Sequence, residues 1–215
     1  MRGAIVASLV FLAAPSASAQ EGRPKRPDEI PPRHGVAFRG KAYPQATPKE
    51  ALQSALDAIE KGEFNYLAAH LLDPAFVDAR VGDRAKQAEP TVEANLSALR
   101  DFQQKNLDRI VAEARVPVEP AKFRQRVAAD AQVAGFKQFV RDVQEKLTDD
   151  PEVLKDLRRF RSQGTFSELA GGDAARVGLA DLKDRSLFFR KVADRWYLEN
   201  KQNEEPAKPP EEKKP

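Results

Sequence analysis

The sequence has 215 residues, with 36 basic and 33 acidic side chains that give a formal net charge of +3. The two signs are interspersed, which argues against a dedicated nucleic-acid binder, because such proteins usually present a clustered basic face. The chain contains no cysteine, which excludes disulfide bonds, thiolate metal ligands and a cysteine nucleophile. The fold must therefore be held together by burial of the 41% of residues that are hydrophobic.

The first 19 residues have the order of a secretory signal peptide. Arg2 precedes an apolar run over residues 4–14, and a small-residue A-S-A sequence ends at Ala19. The apolar run is shorter than the ~20 residues that a bilayer-spanning helix needs. We therefore expect cleavage before Gln20 and export to the periplasm or the extracellular medium, with a retained anchor as the alternative.

Two polar segments flank the predicted domain, which spans residues 47–201. Residues 20–46 form a leader rich in proline and charge, and residues 202–215 are mostly Pro, Glu and Lys. Such compositions bury too little apolar surface to offset chain entropy, so the leader is predicted to be flexible and the tail disordered. Within the leader, the sequence HGVAFRGKAY is the exception, because it is predicted to add an edge strand or to dock on the domain.

A capping signal opens the domain. In the sequence TPKE, Thr47 can cap a helix, Pro48 suits its first turn, and Glu50 stands where a capping box needs it. Apolar residues at helical spacing follow, and Gly62 ends the run. The sequence therefore predicts a helix from Thr47 to about Gly62.

The middle of the domain is predicted to be mostly helical. A second short helix is expected in FNYLAAHLLDP, with Pro74 as its stop, and the next sequence, AFVDARV, is predicted as a short strand. The 3.6-residue spacing of apolar side chains then predicts longer helices over residues 91–116, 121–147 and 150–164.

After Gly164 the pattern changes to short strands. The segments TFSELA, AARVGLAD, SLFFRKV and RWYLEN are separated by turn sequences, which is typical of a β-meander. Alternation places Leu187 and Phe189 on one face of the third strand, and Phe188 and Arg190 on the other. Both faces carry apolar groups, so both are expected to be covered in part. The predicted fold class is therefore α+β.

Two parts of the sequence resemble a known family. The segment TPKEALQSALDAIEKGEFNYLAAHLLDP resembles the opening helix pair of the NTF2-like proteins, whose cone-shaped α+β fold is shared with ketosteroid isomerases and SnoaL-type cyclases. The segment LFFRKV, followed by a tight turn and RWYLEN, looks like the last hairpin of that fold. The resemblance implies an NTF2-like cone with N-terminal helices and a C-terminal antiparallel β-meander. The middle of this chain adds extra helices to that pattern.

The resemblance implies that any catalysis would use Asp, His or Tyr side chains that point into the cone. No catalytic motif of such a family is present, and the chain also lacks a nucleophile elbow, a Walker loop and a G-x-G-x-x-G sequence. The nearest candidates are Tyr66, His70 and Asp73, of which the first two share a helical face. A histidine tuned near neutrality can serve as a general base, but His70 has no visible orienting partner. His34 is the other histidine of the chain, and neither a metal site nor a cofactor is predicted.

Three functions are compatible with these observations. The favoured one is an exported, non-catalytic module that binds a small ligand or a protein partner, with Phe188, Arg190, Trp196 and Tyr197 as the binding face. One alternative is an enzyme with isomerase-type or dehydratase-type acid–base chemistry in the cone pocket. The other is single-stranded nucleic-acid binding by the C-terminal sheet, where basic residues accompany aromatic ones but acidic residues interleave with them. The long helices also allow a homodimer.

Overall fold

The computed structural model describes residues 30–110, 119–169 and 171–201, so the predicted signal peptide and the C-terminal tail lie outside the described residues. The elements in chain order are α1 (Pro48–Glu60), α2 (Phe64–Tyr66), a π-helical turn (Leu67–Leu71), α3 (Pro74–Ile110), α4 (Pro120–Asp149), α5 (Pro151–Gln163), β1 (Thr165–Glu168), β2 (Ala174–Leu179), β3 (Leu182–Val192) and β4 (Arg195–Glu199). The α+β class predicted from the sequence is confirmed. Among the described residues, none of the helices is long and apolar enough to cross a membrane.

The start of α1 follows its capping sequence. The hydroxyl of Thr47 accepts a hydrogen bond from the backbone N–H of Glu50 at 3.1 Å, and the Glu50 carboxylate accepts one from the N–H of Thr47 at 3.2 Å. Together these bonds form a complete capping box, which satisfies donors that a helix start leaves unpaired. Gly62, at a φ of +70°, follows the helix as predicted.

The region after the π-helical turn differs from the prediction. The sequence AFVDARV is helical rather than a strand, and the helix expected from Thr91 begins already at Pro74 and continues through Pro90. Pro74 therefore starts a helix, because the fixed φ of proline suits the first helical turn. The helix prediction for residues 91–116 is confirmed as far as Ile110, and residues 111–118 lie outside the described part.

The buried face of α3 explains why the sequence AFVDARV forms a helix and not a strand. Val77, Val81 and Ala85 recur every four residues and are all buried. Val77 and Val81 belong to an apolar cluster with Phe136 and Phe139 of α4. A strand would also place Ala79 and Asp83 on the face of the two valines, and both of these residues are exposed.

The predictions for the last two helices are confirmed. α4 contains the predicted residues 121–147 and begins at Pro120. Proline has no backbone N–H, and this costs nothing at the first helical position, where the N–H would have no partner within the helix. α5 begins after Asp150, whose carboxylate accepts a hydrogen bond from the backbone N–H of Glu152 at 3.1 Å. The helix ends at Gly164, as the sequence indicates.

The strands form an antiparallel meander in the order β1-β2-β3-β4. Phe189 pairs with Ala175 on one side and Leu198 on the other, and this face, here called the inner face, packs on α1 and α5. Phe188 and Arg190 lie on the opposite, outer face. The alternation predicted from the sequence is thus confirmed.

Part of the predicted leader is packed on the domain. Residues 33–46, here called the docked segment, include Tyr43, which is fully buried beside Leu67 and Leu71. The side-chain amide of Gln45 donates to the carbonyl oxygens of His70 at 2.9 Å and Trp196 at 2.8 Å. The folded domain therefore starts upstream of Thr47, and the sequence HGVAFRGKAY docks on it.

A glycine lets α3 and α4 approach closely. A Cβ atom at Gly135 would lie only 2.7 Å from the backbone nitrogen of Ala85 and from the backbone oxygen of Val81. At Gly82 of α3, in contrast, a Cβ atom would have no neighbour within 4 Å. The two glycines therefore have different roles although both lie inside helices.

Replacing Gly135 with alanine is predicted to lower the free energy of unfolding by about 1–3 kcal/mol, because the added methyl group would force the helix backbones apart. The matched control Gly82→Ala should instead raise it by about 1 kcal/mol through helix propensity. Urea denaturation followed by circular dichroism measures both changes. Equal stabilisation by the two variants would contradict the close helix approach.

Candidate functional site

The structure brings Tyr66 and His70 together but buries both. Their exposed fractions are 1% and 3%, and their ring centroids lie 5.0 Å apart. The Tyr66 hydroxyl accepts a hydrogen bond from the backbone N–H of Arg39 at 3.1 Å. Nε2 of His70 lies 2.8 Å from the carbonyl oxygen of Val36 and donates to it, which places a proton on Nε2. Both side chains are thus held by the docked segment.

Burial also keeps this pair uncharged at neutral pH. It lowers the pKa of His70 below its ordinary value of 6.5; the hydrogen bond to Val36 opposes that shift, and the positive charge of Arg195 adds to it. Burial raises the pKa of Tyr66 above 10. The two rings therefore act as neutral packing and hydrogen-bonding groups in this structure.

Asp73 stands apart from this pair and caps α3. Its Oδ2 accepts a hydrogen bond from the backbone N–H of Phe76 at 3.3 Å and lies 3.9 Å from Nη1 of Arg190. Oδ1 is buried without a hydrogen-bond partner among the described residues. The backbone N–H of Asp73 donates to the carbonyl oxygen of Leu198 at 2.9 Å. Asp73 therefore attaches the start of α3 to β4, where the helix macrodipole favours a negative charge.

The four residues predicted as a binding face are not on one surface. Phe188, Arg190 and Tyr197 lie on the outer face of the sheet, whereas Trp196 lies on the inner face in the core. Phe188, Trp196 and Tyr197 are buried, with exposed fractions of 2%, 4% and 3%, and Arg190 alone of the four is exposed. Alternation along β4 separates neighbouring residues, so Trp196 and Tyr197 have to face opposite sides.

The docked segment covers part of the outer face. The guanidinium of Arg195 lies between two rings, 4.8 Å from the centroid of Phe38 and 5.4 Å from that of Tyr197. Burial raises the pKa of Tyr197 above 10. The tyrosine ring is therefore already stacked by a cation of the same chain.

A groove of about 720 Å³ lies between α1, α3, α4 and the end of β4. This volume falls within the range of roughly 300–1,000 Å³ that small-molecule sites occupy. Its floor is apolar, and charged side chains surround it. Floor residues include Ile59, Leu72, Phe76, Phe139, Val143 and Leu147. A second, smaller cavity of about 380 Å³ lies beside His34 and Phe136.

The groove lies where three apolar clusters of the core meet. The first cluster joins α1 and α5 to the sheet, the second joins α3 to α4, and the third joins α1 to the π-helical turn. Ile59 and Leu147 pack on the first and third clusters, and Leu72 and Val143 pack on the second and third. All four line the groove and are half-buried. The groove is therefore the place where converging elements leave apolar surface incompletely covered.

Two helices supply much of the wall through one face each. On α3 the lining residues run from Phe76 to Gln87, and on α4 they run from Phe139 to Leu147, mostly at three- and four-residue spacing. An ion pair between Arg84 and Asp142, at 2.7 Å, connects the two walls. The sequence pattern does not indicate this site, because it predicts a strand and a helix break where α3 supplies the lining residues.

Comparison of the chain with protein-family models, with curated proteins and with solved structures finds no match. In the part of the chain that the structure describes, no group of three or more His, Asp or Glu side chains is arranged to hold a metal ion. The evidence for a function therefore comes from the geometry of the groove, which has an apolar floor with charged side chains around it.

Acidification through pH 6.5 is predicted to lower the free energy of unfolding. Because the pKa of His70 is below 6.5 in the folded chain, the unfolded chain binds more protons as the pH falls through 6.5. Burial lowers the pKa of His34 as well, so this residue contributes in the same direction. Urea denaturation between about pH 5 and 8 measures the dependence.

The two histidine contributions can be separated by substitution. His70→Gln should flatten the pH dependence of the free energy of unfolding. His34→Gln should leave in place the share of that pH dependence that His70 contributes. Titration of the ring resonances by NMR gives the pKa of each histidine directly. A His70 pKa above 6.5 would contradict a buried, neutral imidazole.

Proposed function

We propose that this protein is an exported, non-catalytic binding module that holds a small amphipathic molecule in the groove between α1, α3 and α4. The observation that carries the proposal is the meeting of three apolar clusters at one groove of ligand size. A bound molecule would cover the half-buried side chains of all three clusters at once. Each Å² of apolar surface removed from water stabilises the complex by about 25 cal/mol before the cost of association.

Acid–base catalysis has less support from the geometry. Tyr66, His70 and Asp73 do not line the groove, and a general base has to come within hydrogen-bond distance of the proton it takes. Within the groove wall, Arg84 and Asp142 are paired with each other. An enzyme of the isomerase or dehydratase type therefore remains the second hypothesis.

Nucleic-acid binding by the sheet also has less support. Base stacking requires aromatic rings that present a face to solvent. Phe188, Trp196 and Tyr197 are buried, and Arg195 already occupies one side of the Tyr197 ring.

The NTF2-like relationship and the export of the chain are further parts of the proposal. The capped α1 and the hairpin of β3 and β4 support the relationship, and a homologue of established cone fold that aligns over both parts would test it. The order of residues 1–19 supports export. N-terminal sequencing of the protein from expressing cells tests export, because cleavage at the expected site would leave Gln20 as the first residue. An intact Met1 would contradict cleavage and favour the retained anchor.

The groove is expected to bind N-phenylnaphthylamine, a neutral fluorophore whose emission rises in apolar surroundings. Val143→Phe adds a larger side chain to the floor and should weaken this binding about tenfold, which corresponds to 1.4 kcal/mol. Fluorescence titration measures the affinity.

The matched control is Val133→Phe, which makes the same change on the same helix at a side chain that is 54% exposed and outside the groove. It should leave the affinity within about twofold of the original, well below the tenfold effect of 1.4 kcal/mol. Val133 lines the smaller cavity, so weaker binding in this variant alone would place the fluorophore there. That result, or an absence of binding to the unmodified protein, would contradict the proposed function.

A further inference from the structure

We infer that the ligand of the groove is an anionic amphiphile, a molecule with one apolar chain and a negatively charged head group. This inference rests on the proposed function, because it specifies the ligand of the same groove. It follows from the charges around the groove and from the separation of those charges from the apolar floor.

Three acidic residues of the described part of the chain line the groove, and two of them are neutralised by ion pairs. Asp142 pairs with Arg84 across the groove at 2.7 Å. Glu199, at the end of β4, accepts from Nε of Arg190 at 3.0 Å, and its side chain is only 16% exposed. Neither carboxylate therefore offers a free negative charge to a ligand.

The cations around the groove are less completely neutralised. Arg80, Lys86 and Lys146 line the groove, are exposed, and have no ion-pair partner among the described residues. The acidic residue that stands against them is Asp83, which is also exposed and unpaired in this part of the chain. Among the described residues, three unpaired cations against one unpaired carboxylate make the rim positive, so it attracts a negative head group and repels a positive one.

The shape of the groove fits a single apolar chain. Its lining residues run from Phe76 to Gln87 on α3 and from Phe139 to Leu147 on α4. At a rise of 1.5 Å per residue, these faces are about 17 and 12 Å long. Buried and half-buried apolar side chains form the floor, and exposed charged groups lie on the solvent side. A chain can thus lie along the floor while its head stays at the rim in contact with water.

Arg80 shows how apolar and charged surfaces adjoin in this groove. Its guanidinium lies 5.7 Å from the ring centroid of Phe76, which is one turn earlier on α3 and forms part of the floor. The stem of an arginine can cover apolar surface while its charged head remains in water. A head group bound by Arg80 would therefore lie directly beside the apolar floor.

The test compares amphiphiles that share one chain and differ in head charge. Decanoate, decanol and decyltrimethylammonium are each used as monomers, below the concentration at which they form micelles, to displace N-phenylnaphthylamine. Decanoate should bind at least about tenfold more tightly than decyltrimethylammonium, with decanol between them. Equal displacement by all three would overturn the inference and leave the proposed function standing. No fluorophore binding at all would overturn both.

A triple variant locates the effect of charge at the rim. Arg80→Gln, Lys86→Gln and Lys146→Gln together should weaken decanoate binding about tenfold and leave decanol binding unchanged. Higher ionic strength should likewise weaken decanoate alone, because salt screens exposed charges. Unchanged decanoate affinity in the triple variant would overturn the inference.

The matched control removes the same amount of charge from exposed positions outside the groove. Lys49→Gln, Lys105→Gln and Arg124→Gln together should leave the decanoate affinity within about twofold of the original, far from the tenfold effect expected at the rim. Circular dichroism is used to check that both triple variants are folded. An equal loss in the control would mean that net charge, rather than the rim, attracts the anion, and this would overturn the inference.

Discussion

The close contact of α3 with α4 is the constraint on which the rest of the domain depends. Gly135 brings the backbone of α4 against the backbone of α3, and Val77 and Val81 bury their side chains in the same contact. Protein cores are close-packed, so a contact made by backbone atoms leaves little freedom in the helix separation. The groove takes much of its wall from these two helices, and their separation therefore contributes to its width.

The polar side chains that could take part in chemistry hold the domain together instead. Tyr66, His70 and Gln45 are buried, and their hydrogen bonds join the docked segment, the π-helical turn and β4. An unpaired polar group at such depth costs roughly 1–3 kcal/mol, so each of these bonds makes the arrangement specific. The groove of ligand size is lined by other residues, of which about half are apolar and most of the rest are charged.

The dipeptide Asp-Pro shows where reading the sequence succeeded and where it failed. The pair Asp150 and Pro151 predicts a helix start, and Asp150 does cap α5. Asp73 and Pro74 form the same signal, yet the sequence analysis takes Pro74 as the stop of the preceding helix, whereas it begins α3. The sequence therefore predicts a strand where α3 has its first turns, and one wall of the groove is missing from the prediction. A local signal of this kind indicates that a helix boundary lies at the dipeptide. Tertiary packing decides whether that boundary ends one helix or starts the next.

By itself the sequence determined the α+β class, the capped starts of α1 and α5, the course of α4, and the β-meander with its two faces. Local hydrogen bonds and side-chain periodicity specify these features, and both can be read along the chain. Tertiary structure alone decided that Trp196 lies in the core, that residues 33–46 pack on the domain, and that three clusters leave a groove between them. The physical reason is that a groove forms where elements distant in sequence leave apolar surface uncovered. Periodicity shows which face of an element is apolar, but it does not show which other element covers that face.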